Sequence, residues 1–340
     1  MKICQYGIAT SNGKENRLGI LTSDNNIIDP HHCFTALYEK ENWYNCETRA
    51  YHKIPTVLSK LLSTFDNPIL RLQESLDIYE RLVKWGIPCT KSGGIIKKKL
   101  TPEVALLKPI DTIATYRDFF IHEKHVQKGF EKRGEKIPDA WYEIPLYYKG
   151  PSHSFIGNEE DILWPSFTDK LDYELELGMI IGKEGKNIKE KNALNHIFGF
   201  TILNDISARD IQKKEMTVRL GPSKSKDFCS VIGPVITTID EFNGIEPNLL
   251  MTAKINGQEW SRGQSGDGHY SWAEIISYTS TDEWILPCDL FGSGTVGTGC
   301  GLELDKWIKP NDIITLEIEK IGTLKNKVGE KESKDFDGKF

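Results

Sequence analysis

The feature that most constrains this chain is the run LDYELELGMIIG at positions 171–182. Three acids, Asp172, Glu174 and Glu176, alternate with apolar residues and lead into residues 179–181, which are apolar throughout. Side chains alternate between the two faces of a strand, so the pattern predicts a strand with the acids on one face that continues into a buried sheet. A buried carboxylate must be paired or must coordinate a cation, because isolated buried charge is too costly. The run therefore predicts cationic partners for these acids.

A second run, FGFTILNDISARDIQ at positions 198–212, places polar groups at the end of an apolar stretch. The apolar residues end at Asn204-Asp205, and Ser207 begins a predicted short helix. Arg209 and Gln212 are three residues apart, so they would share one face of that helix.

Taken together, the two runs offer a set of carboxylate oxygens. Glu174, Glu176 and Asp205 would be three hard donors, the ligands that suit Mg²⁺, Mn²⁺ or Ca²⁺ and not a metal that prefers thiolates. The alternative is an edge strand whose acids face water, beside an unrelated aspartate in a turn.

The amino-acid sequence of both runs resembles the fumarylacetoacetate hydrolase superfamily, in which D-x-E-x-E and N-D-x-S-A-R-D-x-Q carry the metal and substrate sites. The resemblance extends from about position 116 to about position 328. It implies a fold that is mainly β with some α, in which residues 108–328 form a mixed, strongly coiled β-roll with a few helices outside. A small β-rich N-terminal domain (1–107) would precede it and a charged tail (329–340) would follow. A homodimer is also implied.

The segment YRDFFIHEKHVQK, at positions 116–128, contains further candidates. If it is helical, Asp118, His122 and His125 lie on one face and could bind a metal or supply a general base. The alternative is a surface helix with incidental histidines. The segment resembles the superfamily's Y-x-D-F-x-x-x-x-x-H lid. That resemblance implies that Asp118 is a fourth metal ligand and His125 the catalytic base, and it gives no role to His122.

The resemblance also implies residues that contact the substrate. By position in the family's motifs these are Tyr148, Arg209, Gln212, Lys226 and Thr295. Thr295 belongs to the glycine-rich run FGSGTVGTGCGLEL, whose glycines allow backbone to approach a ligand closely. Glu303 in the same run resembles the glutamate that partners the lid histidine, and its alternation with leucines predicts a strand. Cys288 stands where the family usually has glycine, which indicates a tolerated substitution and not a nucleophile.

The two ends of the chain contain no comparable group of candidate site residues. Strands are predicted at positions 3–10 and 17–22, with Asn12-Gly13 as a turn between them. From position 325 onward the sequence is highly charged and nearly devoid of apolar residues, so this segment is predicted to be frayed.

One helix of the N-terminal region is marked at both ends. Asn67-Pro68 is a typical N-cap and first-turn pair, and Gly86 would end the helix. By contrast, His31 and His32 follow a proline in a polar stretch and are predicted to be solvated in a loop.

Composition excludes several classes of function. The net charge of −6 and the pI near 5.8 argue against a nucleic-acid partner, which requires a basic face. No stretch approaches the roughly 20 apolar residues of a membrane span. The seven cysteines show no regular framework, which favours reduced thiols and a cytoplasmic location.

The function that the resemblance implies is a metal-dependent hydrolase. It would use Mg²⁺ or Mn²⁺, with Ca²⁺ also possible, to cleave a C–C bond in a β-dicarbonyl substrate, a small keto acid of the acylpyruvate class. An oxaloacetate-type decarboxylase or a keto–enol tautomerase on the same site is the main alternative, and a Ca²⁺-stabilised binding module without turnover is another. Phe120 stands where the fumarylacetoacetate enzyme has tyrosine, which weighs against that particular substrate.

Overall fold

The computed structural model describes residues 1–10 and 13–333 of the chain. Its strands are β1 (Lys2–Thr10), β2 (Gly13–Leu21), β3 (Asn26–Ile28), β4 (Lys97–Lys99), β5 (Val104–Leu106), β6 (Tyr116–Phe119), β7 (Tyr147–Gly150), β8 (Phe155–Ile156), β9 (Ile162–Trp164), β10 (Leu171–Asp172), β11 (Leu175–Ile181), β12 (Ile197–Asn204), β13 (Ser207–Ala208), β14 (Ser230–Thr238), β15 (Leu250–Ile255), β16 (Gln258–Gln264), β17 (Leu290–Gly292), β18 (Ile313–Ile318) and β19 (Gly322–Lys331). Asn12 of the predicted Asn12-Gly13 turn lies outside the described residues.

The helices are α1 (Pro30–Lys40), α2 (Cys46–Lys53), α3 (Leu58–Thr64), α4 (Pro68–Lys84), α5 (Glu123–Glu131), α6 (Ala140–Glu143), α7 (Glu190–Ala193), α8 (Arg209–Val218), α9 (Trp272–Thr279) and α10 (Gly301–Leu304). None of these helices has both the length and the apolar character that crossing a bilayer requires.

The described strands form one large sheet, one smaller sheet and one short pair. The large sheet has the order β4-β3-β2-β1-β14-β12-β11-β17-β6-β7, with β5 beside β1 and β8 beside β14. The smaller sheet has the order β16-β15-β18-β19-β9, and β10 pairs with β13. Parallel pairs such as β17 with β6 occur among antiparallel ones. The predicted fold class, mainly β with mixed sheets and some helix, is confirmed.

The single strand predicted from the alternating acids is divided in the structure. Leu171–Asp172 form β10, which pairs with β13, and of the three acids only Glu176 lies in β11, inside the large sheet. All of β11 is buried, and it pairs with β12 on one side and β17 on the other. A strand covered on both faces needs apolar residues on both faces, which explains the change from alternation to a continuous apolar run at residues 179–181.

The N-terminal strands extend this same sheet. β1 pairs with β14, with Ile3 opposite Ile236, so the sheet is continuous across the boundary expected near residue 107. Helices α1 to α4 contribute to the hydrophobic cluster that contains Ile3 and Ile236, for example through Leu58 and Leu61. Whether residues 1–107 fold independently stays a prediction.

The helix predicted over residues 116–128 is wrong in its first half. Residues Tyr116–Phe119 form β6, which pairs with β17 and β7. The helix α5 begins only after His122, its N-cap residue. Asp118 is therefore positioned by a strand and His125 by a helix, so the two do not share a helical face.

The histidine pair was also predicted wrongly. Asp29 caps α1 by accepting a hydrogen bond from the backbone of His32, and Pro30 occupies the first turn. His31 consequently lies in a helix and is buried, because the turn that Pro30 begins continues as α1. The helix predicted after Asn67 is confirmed as α4, whose cap is the Asn67 side chain.

The predicted fraying from position 325 is wrong for residues 325–331. They belong to β19, which pairs with β18 and β9. Leu324, Asn326 and Val328 are buried while their neighbours face outward, so a period-two pattern holds the segment in the sheet despite its charge. Residues 329–331 of the predicted tail are thus the end of a strand.

Cys288 has a φ of 73°, a left-handed conformation that favours glycine. Its backbone geometry therefore agrees with the glycine that the family pattern places there. The side chain is buried, with its sulfur 4.0 Å from the carbonyl oxygen of Ser59.

Ile236 tests the junction between the N-terminal helices and the large sheet. Its side chain is fully buried, so Ile236→Ala is expected to lower the free energy of unfolding by about 2–5 kcal/mol. Leu163→Ala is the control, because Leu163 is 59% exposed and its loss should change stability by about 0.5 kcal/mol or less. Urea denaturation followed by circular dichroism measures both. Equal midpoints for the two variants would contradict this role of Ile236.

Candidate active site

Three carboxylates converge at the middle of the large sheet. Asp118 comes from β6, Glu176 from β11 and Asp205 from the residue after β12. One oxygen from each lies within 4.8 Å of the others, and all three side chains are buried. The register produces this convergence, because Gly292 of β17 is opposite Asp118 and β17 pairs with β11. We call Asp118, Glu176 and Asp205 the carboxylate triad.

Hydrogen bonds from the backbone and from hydroxyl groups orient the triad. The backbone N–H of Gly294 donates to Asp118 (3.2 Å), and the Thr295 hydroxyl donates to Glu176 Oε1 (3.3 Å). Asp205 accepts from the hydroxyls of Tyr148 (2.6 Å) and Ser230 (3.2 Å). The other oxygen of Glu176, Oε2, is buried with no hydrogen-bond partner among the described residues.

The electrostatics of the triad fit a cation. Burial raises the pKa of Asp118 and of Glu176 well above the usual carboxyl range, and the neighbouring carboxylates raise both further. Within the described residues, neither side chain forms an ion pair. An unpaired buried oxygen beside two like charges is the environment that a divalent cation stabilises, and oxygen donors suit Mg²⁺ or Mn²⁺. Asp118, Glu176 and Asp205 are therefore the residues that could hold such an ion.

Glu174, predicted as a ligand, lies beside the triad but is bound to cationic side chains. It accepts from Arg209 Nη2 (2.7 Å) and from Lys226 Nζ. Burial opposes its ionisation, yet Arg209 and Lys226 outweigh burial and place the pKa of Glu174 below its usual range. The structure thus groups Asp118 with Glu176 and Asp205, and pairs Glu174 with Arg209 and Lys226. A ligand role for Glu174 stays a prediction.

Arg209, predicted to contact the substrate, is fully engaged by the protein. Its Nε donates to Asp172 (2.8 Å), Nη2 to Glu174 (2.7 Å) and Nη1 to Gln212 (2.9 Å). Asp172 also accepts from the backbone of Gly301 (2.8 Å), at the start of α10. The sequence left Asp172 without a role, although it is the first acid of the D-x-E-x-E motif. Arg209 and Asp172 join the two motifs to the glycine-rich run.

Lys226 bridges the two kinds of carboxylate. Its ammonium group donates to both Glu174 and Asp205. Burial disfavours the charged form, but the coulombic attraction of Asp205 and Glu174 prevails and raises the pKa of Lys226. Lys226 is therefore cationic at neutral pH.

His125 and Glu303, predicted as a pair, are in contact. The distance from His125 Nδ1 to Glu303 Oε1 is 2.7 Å. A carboxylate only accepts, so Nδ1 carries the proton and Nε2 is left as the basic atom. Nε2 lies 4.0 Å from an oxygen of Glu174.

Glu303 accepts a hydrogen bond from the backbone N–H of Thr298 (2.8 Å). It lies in α10, so the predicted strand at this position is wrong. The helix forms because Asp172 caps the N–H groups that open it.

Cys300, which the sequence did not single out, lies against this pair. Its sulfur is 3.5 Å from Glu303 Oε1 and 4.0 Å from His125 Nδ1. Burial raises the pKa of the Cys300 thiol well above its usual range, so it is neutral and a poor nucleophile. The sequence feature that could have identified Cys300 as a site residue is its position three residues before Glu303.

Most of the residues described above line one cavity of about 1010 Å³, although Asp172, Asp205 and Cys300 are not among its lining residues. Its acidic and hydrogen-bonding lining residues include Asp118, Glu174, Glu176, Glu303, His125, Tyr148, Gln212, Lys226 and Thr295. Aromatic side chains form much of the remaining wall, namely Phe120, Phe130, Trp141, Tyr147 and Trp307. The predicted catalytic and substrate-binding residues thus surround a space large enough for a small organic acid.

Comparison with known proteins agrees with this arrangement. Residues 112–329 match the fumarylacetoacetate (FAA) hydrolase C-terminal domain. The chain belongs to the fumarylacetoacetate hydrolase family. Among its relatives, the oxaloacetate tautomerase YisK of Bacillus subtilis is 28% identical over 318 residues, which cover 92% of this chain and 96% of that protein. Membership indicates an enzyme of the fumarylacetoacetate hydrolase superfamily.

Solved structures show that the fold is shared. A fumarylacetoacetate hydrolase from Exiguobacterium antarcticum has a TM-score of 0.65 at 21% identity, covering 96% of this chain and 99% of that one. A maleylpyruvate hydrolase from Sphingobium sp. SYK-6, in complex with manganese(II) and pyruvate, has a TM-score of 0.65 at 18% identity, covering 98% of this chain and all of that one. The expected fumarylacetoacetate hydrolase fold is therefore confirmed.

The triad predicts stabilisation by a divalent cation. Adding Mg²⁺ or Mn²⁺ to chelator-treated protein is expected to raise the unfolding temperature, by an amount equivalent to about 2.7 kcal/mol when the ion is at 100 times its Kd. Glu176→Gln should reduce this gain, because it removes one charged donor. Glu80→Gln is the matched control on an exposed face of α4. Differential scanning calorimetry makes the comparison, and a wild-type midpoint indifferent to both ions would contradict the site.

A substitution at Gly292 tests the role of Asp118 without replacing any acidic residue. A Cβ atom at position 292 would lie 2.3 Å from Asp118 Oδ1, so Gly292→Ala must displace that carboxylate. We expect this variant to lose most of the stabilisation by Mg²⁺. Gly129→Ala is the control, because the Cβ it adds in α5 has no neighbour closer than 3.9 Å. If both variants respond to the ion like the wild type, Asp118 is not needed for binding.

Proposed function

We propose that this protein is a divalent-metal-dependent hydrolase that cleaves a C–C bond of an acylpyruvate-type keto acid. The observation that carries the proposal is the His125–Glu303 pair, which lines the same cavity as Asp118 and Glu176 of the carboxylate triad. A polarised base and a cation site facing one cavity are what hydrolysis between two carbonyl groups requires.

The triad would hold the cation. Mg²⁺ or Mn²⁺ fits the hard oxygen donors of Asp118, Glu176 and Asp205, and Ca²⁺ is a further candidate. When bound, such an ion supplies Lewis-acid stabilisation to the oxygens of a dicarbonyl substrate and to the enolate that departs.

His125 acts as the general base. Its Nε2 takes a proton from water, and the Glu303 carboxylate stabilises the imidazolium that forms. The resulting hydroxide adds to the acyl carbonyl carbon, and the bond between that carbon and the methylene carbon breaks. The methylene carbon then takes the proton that His125 holds, so that a carboxylic acid and pyruvate are the products.

Lys226, Tyr148, Thr295 and Gln212 position the substrate. The Lys226 ammonium and the Tyr148 hydroxyl both donate toward Asp205, so their donors already converge where the substrate's oxygens would be. Gln212 would orient the keto-acid carboxylate from the cavity wall. Arg209 is assigned a positioning role, because Asp172, Glu174 and Gln212 occupy its donors.

Keto–enol tautomerisation of an oxaloacetate-type diacid is the second candidate. It is favoured by the relationship to the oxaloacetate tautomerase YisK, which extends over 92% of this chain. That reaction needs only a proton moved between carbon and oxygen, which His125 could perform without water. A homodimer and a cytoplasmic location are part of the proposal and are supported by the resemblance and the cysteine pattern alone.

Product analysis separates the candidates. The Mg²⁺- or Mn²⁺-loaded protein is incubated with an acylpyruvate and, separately, with freshly dissolved oxaloacetate. Pyruvate plus a second carboxylic acid supports the hydrolase. Accelerated loss of enol absorbance without CO₂ release supports the tautomerase, and pyruvate plus CO₂ supports a decarboxylase. If neither substrate changes, the proposed function is wrong and a non-catalytic role gains support.

Variants of the pair test its role in catalysis. His125→Ala and Glu303→Gln are each expected to lower kcat for the acylpyruvate by roughly 10²–10⁴-fold, the usual contribution of a general base. His153→Ala is the matched control, since His153 is exposed and is not a lining residue of the cavity. Wild-type kcat in His125→Ala or Glu303→Gln would remove that residue from the mechanism.

A further inference from the structure

A second cluster of ligand-type atoms adjoins the active site and shares no residue with the carboxylate triad. It consists of His125, Cys300 and Glu303, whose donor atoms lie within 4.8 Å of one another. The three separations are 2.7 Å from His125 Nδ1 to Glu303 Oε1, 3.5 Å from Glu303 Oε1 to Cys300 Sγ, and 4.0 Å from Cys300 Sγ to His125 Nδ1. The mechanism uses the histidine and the glutamate but has no use for the cysteine.

These separations are close to the edges of a zinc coordination tetrahedron. With Zn–N and Zn–O bonds of about 2.0–2.2 Å and a Zn–S bond of about 2.3 Å, neighbouring ligand atoms lie roughly 3.3–3.7 Å apart. The sulfur–oxygen separation of 3.5 Å already falls in that range. The sulfur would approach Nδ1 slightly and the His125–Glu303 pair would open slightly, each by well under about 1 Å, to admit an ion.

The donor set differs chemically from that of the triad. Imidazole nitrogen and thiolate sulfur select Zn²⁺ and other thiophilic ions, whereas three carboxylates select Mg²⁺ or Mn²⁺. An ion can enter, because His125 and Glu303 line the large cavity and Cys300 lies directly behind them. Three protein ligands with a fourth position toward the cavity would leave room for water.

We propose that His125, Cys300 and Glu303 form a second cation site for a thiophilic dication such as Zn²⁺, and that its occupation switches the enzyme off. On binding, the Cys300 thiol releases its proton to solvent, and the proton of His125 is transferred through solvent from Nδ1 to Nε2, so that Nδ1 is free to bind the ion. The neutral imidazole then carries its proton on Nε2, the atom that must accept a proton from water. The ion therefore blocks the base without touching the triad. Binding does not depend on the proposed function, whereas the loss of activity rests on it.

Binding is tested by spectroscopy, which needs no activity. Full-length protein loaded with Mg²⁺ is titrated with Co²⁺, which reports thiolate ligation through a charge-transfer band. We expect a band in the wild type that persists in Glu176→Gln, where the triad is impaired, and in Cys288→Ala, the matched control at another buried cysteine. The band should be lost in Cys300→Ala and in the more conservative Cys300→Ser. A band that survives in both Cys300 variants, or one that is absent from the wild type, would overturn the proposal. Unfolding temperatures of the metal-free variants confirm that each is folded.

The functional consequence is tested by zinc inhibition in excess Mg²⁺. Cys300→Ala should keep wild-type activity without zinc, and its Ki for Zn²⁺ should rise by more than the roughly 10–100-fold that loss of an outer-shell partner costs. Cys288→Ala should be inhibited like the wild type. Equal inhibition of Cys300→Ala and wild type would mean that zinc acts at the triad, which would refute the switch. If no substrate is turned over by the wild type, the proposed function fails while the Co²⁺ titration still decides the site.

Discussion

The active site depends on a buried chain of alternating charges: Asp172, Arg209, Glu174, Lys226 and Asp205. Each cation lies between two carboxylates, so removing Arg209 leaves Asp172, and removing Lys226 leaves Asp205, without its cationic partner in a buried position, at a cost of roughly 3–5 kcal/mol. The chain of charges joins three segments of the sequence, residues 172–174, residues 205–209 and Lys226. Arg209 and Lys226 are both engaged in it. Two further acids, Asp118 and Glu176, are left without a cationic partner among the described residues, and that shortage of positive charge makes the triad suitable for a metal ion.

The sequence predicted the central strand well because two independent requirements coincide there. The period-two alternation that places acids on one face is also the pattern that the sheet geometry needs at the entry to β11. At residues 116–119, by contrast, the local spacing of polar residues and the pairing of strands favour different structures. Asp118, His122 and His125 also satisfy helical spacing, and the strand forms because β17 and β7 supply its hydrogen-bond partners. Those partners are distant in sequence, and local spacing contains no information about them. The end of β19 was not predicted for the same reason, because Val328 and Lys331 pair with β9, which is distant in sequence.

The roles of the individual site residues were harder to predict than the position of the site in the chain. The motifs identified the three acids of the carboxylate triad together with Glu174 and Glu303, but spacing could not decide which acids face a cation of the protein and which face each other. That choice is made by Arg209 and Lys226, which reach Glu174 from α8 and from the following loop. The same contacts engage Arg209 within the protein although it also lines the cavity, so its substrate role stays a prediction. Residue type and spacing thus determine which chemistry is available, and the tertiary pairing of charges determines how it is divided.

The properties that make His125 a base also make it a metal ligand. A partner carboxylate orients its ring, burial removes competing water, and a lone pair is left available; zinc selects a histidine by the same criteria. Proton transfer and metal binding at such a residue exclude each other, because both use the single lone pair that a neutral imidazole retains. Cys300 adds the soft donor that moves this balance toward thiophilic ions. One cavity would therefore contain two donor sets with opposite consequences: the oxygens of the triad hold the cation that chemistry requires, and the nitrogen and sulfur beside them hold one that prevents it.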